Sequence, residues 1–177
     1  DLDVSTLTDI TGVTGAAGSI LDLGPGRPRR GRGSSRTLSL TQSVDGVFAG
    51  DLRGTTDLVI KGTGMLRYTG AALTLPGVAT PALNTPNTIT VLGGGLGLDV
   101  GNLREVNLAA DGTRLARLGV MVGTGVDTSY AGVVTGNPGA AELVKLGNGT
   151  LDLTAAAILA GSTLADPVFG SYVVKEG

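Results

Sequence analysis

Five arginines fall within ten residues of this chain: Arg27, Arg29, Arg30, Arg32 and Arg36. A guanidinium carries a permanent charge and a planar fork of N–H donors that suits carboxylates and phosphates. The cluster is therefore a candidate contact for an anion or a partner, such as an acidic glycan or a lipopolysaccharide phosphate. No aromatic residue lies nearby to stack on a base, so nucleic acid is not an expected partner. The plain alternative is a solvated loop, or one paired with acids of a neighbouring subunit. Gly94-Gly95-Leu96-Gly97-Leu98-Asp99 has the spacing of one calcium-binding nonapeptide. Such sites take ligands from tandem copies, and no second copy follows. A glycine-rich turn feeding a strand is the simpler reading, and no metal is expected. The carboxylates Asp45, Asp51, Asp57, Asp99, Glu105, Asp111, Asp127, Glu142 and Asp152 are scattered singly. Glycoside cleavage needs two that converge, and no pair stands out. Histidine and cysteine are both absent. That removes the commonest general base, every Ser/His/Asp or Cys/His site, and any disulfide frame. No catalytic residue and no cofactor are expected.

The elements that would position these residues are short strands. The 177 residues include 31 Gly, 7 Pro and 3% aromatics, against 41% hydrophobic residues. Gly marks tight turns, and many turns between short apolar runs mean many short strands. A core poor in aromatics must be built from small, similar side chains in layers. Period-2 alternation recurs in 37–41, 73–75, 89–91, 96–100, 120–122 and 151–153, which puts Leu, Ile and Val on one face. Residues 102–117 read as strand, turn, strand, broken by Asp111-Gly112. An Ala-rich stretch at 154–160 could form a short helix. Residues 24–36 form a basic loop and 76–86 a proline-bearing loop, within one domain spanning 1–177. Net charge is −2, and no run reaches the length of a membrane helix. The chain starts at Asp1 without a visible signal peptide, which reads as a processed chain or a fragment.

An internal repeat is present. Asp45 to Gly50 followed by Asp57 to Thr69 matches Ala131 to Gly136 followed by Glu142 to Thr154, the later blocks at an offset of 85. A fainter echo runs through Thr11 to Gly15 and Ile20 to Leu23. Repetition of this kind marks quasi-one-dimensional architectures.

Leu143-Val144-Lys145-Leu146-Gly147-Asn148-Gly149-Thr150-Leu151-Asp152-Leu153 resembles the passenger-associated repeat of bacterial autotransporters, Leu-x-Lys-x-Gly-x-Gly-x-Leu-x-Leu. Gly132 to Gly136 resembles its Gly-x-Ile-x-Gly lead. The first copy is looser: Ile60 stands in the Lys position and Tyr68 in that of the last Leu. The resemblance covers about a third of the chain. It implies a right-handed parallel β-helix, secreted or on a bacterial surface, with the repeat serving folding and secretion. No strand series long enough for a translocator barrel accompanies it.

The expected fold is all-β: a right-handed parallel β-helix (β-solenoid) of roughly seven or eight rungs, each coil taking roughly 20 to 25 residues. A β-sandwich is the alternative. The expected role is an extracellular structural subunit, not an enzyme, that self-associates into a fibre or surface layer. An adhesin that grips a glycan or cell-surface ligand through 27–36 or the loop near Pro81 is the second reading. A carbohydrate-active β-helix enzyme has the least support.

Overall fold

The fold is taken from a computed structural model that describes residues 2–3, 9–24, 36–70, 88–99, 105–128, 133–137, 139–152 and 169–175. The expected loop at 76–86, the alternation at 73–75 and the Ala-rich stretch at 154–160 lie outside the described residues. So does most of the basic loop.

Every element described is a strand. They run β1 (Leu2–Asp3), β2 (Asp9–Thr11), β3 (Ile20–Asp22), β4 (Thr37–Thr41), β5 (Gly46–Phe48) and β6 (Asp51–Arg53). Next come β7 (Asp57–Lys61), β8 (Met65–Tyr68), β9 (Ile89–Leu92), β10 (Gly95–Asp99), β11 (Glu105–Ala109) and β12 (Ala116–Met121). The last are β13 (Asp127–Thr128), β14 (Val133–Gly136), β15 (Ala141–Leu146), β16 (Thr150–Leu151) and β17 (Phe169–Lys175). Sheet I has the order β14-β11-β9-β7-β4-β2, and sheet II the order β17-β15-β12-β10-β8-β5. Sheet III is β1-β3-β6, and β13 and β16 form a fourth pair. From β4 to β12 the chain visits these sheets in turn: I, II, III, I, II, I, II, I, II. All strand pairs among the described residues are parallel, in contrast to the hairpins of a sandwich. Among the described residues the one antiparallel contact is an isolated bridge between Asp111 and Arg114. It closes the turn expected at Asp111-Gly112, but β11 and β12 on its two sides enter different sheets.

Apolar residues stack in register. In sheet I, Leu40, Ile60, Val91 and Leu108 are successive partners. In sheet II, Leu66, Leu96, Leu118 and Leu143 do the same. Leu21 pairs with Leu52 in sheet III. All belong to one buried cluster. Phe48 and Tyr68, also partners, stack with ring centroids 6.2 Å apart at 24°. Burial pushes the Tyr68 phenol above its ordinary pKa, and the nearby Asp51 charge adds to this, against a backbone hydrogen bond at Leu52. The steps between partners are uneven, which departs from the expected 20 to 25 residues. Leu40 to Ile60 spans 20, Ile60 to Val91 spans 31, and Val91 to Leu108 spans 17. The ladder fixes the strands, and the connections absorb the difference.

The sequence repeat proves to be a corner and not a layer. Leu58 lies in sheet I, whereas Leu143, its counterpart in the alignment, lies in sheet II. The copies share strand, Gly-x-Gly, strand. In the first, β7 turns through Gly62-Thr63-Gly64 into β8; in the second, β15 turns through Gly147-Asn148-Gly149 into β16. Gly62 and Gly147 have φ of 103° and 79°, in the left-handed region where a Cβ is costly. A Cβ on Gly62 would also strike the Gln42 carbonyl, and one on Gly64 the Val44 carbonyl. Each corner therefore lies directly on the backbone of the preceding corner.

Two polar side chains serve the corners from inside. The Val13 amide donates to Oε1 of the buried Gln42 at 3.0 Å. The buried Thr56 hydroxyl donates to the Leu23 carbonyl at 2.9 Å. Buried polar groups are costly unless paired in this way.

Candidate functional site

Of the five arginines, Arg27, Arg29, Arg30 and Arg32 lie outside the described residues. Arg36 is half-buried at the corner before β4. Its Nη1 donates to the Leu23 carbonyl at 3.3 Å, and its own carbonyl accepts from the Asp57 amide at 3.0 Å. Arg36 thus ties two layers together.

Several acids brace turns or neighbouring strands. Asp22 accepts from the Gly24 amide at 2.8 Å, and Asp45 from the Met65 amide at 2.8 Å. Asp57 accepts from the Thr88 hydroxyl at 2.9 Å, Asp51 meets Arg53 at 3.2 Å, and Asp111 pairs with Arg114. Lys145, in the Lys position of the repeat, donates from Nζ to the Gly147 carbonyl at 2.6 Å and so closes the following corner. No group of three acids converges for a metal ion among the described residues. The glycines of 94–99 have a packing role. Gly97 is the register partner of Gly119, and a Cβ on Gly119 would stand 2.8 Å from Leu146 Cδ1 and 2.9 Å from Met65 Sδ. These glycines make a floor for the cluster of Met65, Val144, Leu146 and Met121, separate from the main core. No helix among the described residues is long and apolar enough to cross a membrane.

Two hollows carry polar groups. One, of about 360 Å³, is floored by Val13, Leu21 and Phe48 and rimmed by Thr14 and Ser19. The other, of about 330 Å³, is an open groove along the corner from sheet I to sheet II. Thr63, Gly93, Arg114, Leu115, Arg117 and Glu142 line it. Arg117 and Glu142 are register partners on β12 and β15. The Arg117 guanidinium reaches across the intervening glycines to the Thr63 carbonyl, far away in sequence. Sequence reasoning missed this group because its members are dispersed over 63–142 and only the ladder register gathers them. No family model, curated protein or solved structure matches the chain.

Proposed function

We propose that this chain is a right-handed parallel β-helix that serves as a structural element outside a bacterial cell and joins copies of itself into a fibre or surface layer. The observation that carries this reading is the parallel pairing of two six-stranded sheets around one apolar cluster, with a register shift at Ala141/Glu142 where β15 meets β17. A parallel ladder grows by accepting another strand in the same register, from further chain or from a second copy. Flat stacking of corner on corner suits such growth. Asp45, Asp51, Asp57 and Asp111 are engaged in hydrogen bonds or ion pairs that brace the fold, which supports a non-catalytic role. The Leu143–Leu153 motif supports a place among autotransporter-like surface proteins. Negative-stain microscopy with light scattering over a concentration series tests the assembly role. Rods that lengthen with concentration are expected. Discrete monomers under every condition would overturn it.

A further inference from the structure

We infer that the open groove over the corner between sheets I and II binds an acidic polysaccharide whose sugar rings carry carboxylates. The inference is independent of fibre formation.

The groove is elongated. Thr63 precedes β8, Gly93 precedes β10, Arg114, Leu115 and Arg117 lie around the start of β12, and Glu142 lies on β15. These strands are successive neighbours in sheet II. Three strand spacings of roughly 4.8 Å give a track of about 14 Å. Its floor is open because Gly95 sits in register between Met65 and Arg117 and presents no side chain.

Both guanidinium groups are tethered at one end. Arg117 holds the Thr63 carbonyl, and Arg114 holds Asp111. A guanidinium has five N–H donors, so one such bond orients the fork and leaves donors for a ligand carboxylate. Preorientation lowers the entropy lost on binding. Glu142 lies beside Arg117 in the ladder register and marks the β15 end of the groove. Leu115, 37% exposed, offers an apolar patch for the C–H face of a sugar ring.

Other polymers fit less well. β12 is paired on both sides, with β10 and β15, so a peptide cannot add there as a strand. No aromatic side chain lines the groove to stack on bases.

Calorimetric titration with a galacturonic acid hexamer, and with a neutral glucose hexamer and a sulfated hexamer as comparisons, tests the assignment. The uronate is expected to bind at least about tenfold more tightly than the neutral sugar, and more weakly as salt rises. Arg117→Gln should weaken binding by about tenfold or more. Leu115→Asp adds a negative charge at an exposed position, so it should do the same with an unchanged melting curve. Absence of binding to the wild-type chain, equal binding of the neutral hexamer, or unchanged affinity in Leu115→Asp would each overturn the site. Stronger binding of the sulfated hexamer would overturn its carboxylate chemistry.

Discussion

Ser39, Val59, Thr90, Asn107 and Thr135 stand in one outward column of sheet I, whereas Gly97, Gly119 and Val144 stand in an outward column of sheet II. The first column is half-buried or exposed. The second is buried from Gly97 to Val144, beside Met65 and Leu146, and continues through half-buried Arg67 to exposed Val47. On their inner faces the two sheets do the same thing, with Leu, Ile and Val stacked in register. A parallel ladder thus constrains one face of each strand and leaves the other free to differ. Sheet I uses that freedom for a polar surface, and sheet II for a second apolar cluster on a glycine floor.

The largest effect that could break this contrast is a truncation on each outer face. Leu146→Ala should cost about 2–5 kcal/mol, as a buried leucine does. Thr90→Ala should change stability by no more than about 0.5 kcal/mol. Urea unfolding of both variants measures the difference, and equal losses would erase the distinction between the faces. Enlarging the columns gives a smaller effect. Gly119→Val must displace Leu146 and Met65 and should cost about 1–3 kcal/mol, while Ser39→Val, beside Val59, should be nearly neutral. Thermal melts of the two variants decide it.

The smallest effect concerns the inner face at Tyr68. Its folded pKa is raised, so the folded state keeps a proton that the unfolded chain gives up above about pH 10. The stability from the buried neutral phenol is therefore full below that pH and is lost as pH rises through the folded value. Tyr68→Phe should be less stable than the wild type by about 1 kcal/mol at neutral pH. The gap should close in alkaline solution, read as converging urea midpoints. A gap that stays constant would show that the phenol does not titrate on unfolding.

The same contrast explains what was legible in the sequence. Thr37-Leu38-Ser39-Leu40-Thr41 announces a half-buried strand because polar and apolar residues alternate, and β4 has that burial pattern. In β10, Gly95 to Leu98 are buried on both faces and only Asp99 is exposed, so Gly95 to Asp99 could be read as a metal turn as easily as a strand. The repeat was visible, but its meaning was not. Leu58 and Leu143 align in sequence yet occupy different sheets, because the motif encodes a bend that suits more than one edge. The groove was illegible for a related reason. Arg114, Arg117 and Glu142 become neighbours of Thr63 only through ladder register, which no local pattern specifies.

Unequal spacing between ladder partners has a practical consequence. Ile60 and Val91 are 31 residues apart, yet their strands pair as closely as those of Val91 and Leu108, 17 apart. Pairing in the ladder therefore does not require a fixed number of residues between partners. Design could therefore change the number of residues between two strands while the strands on either side keep their partners.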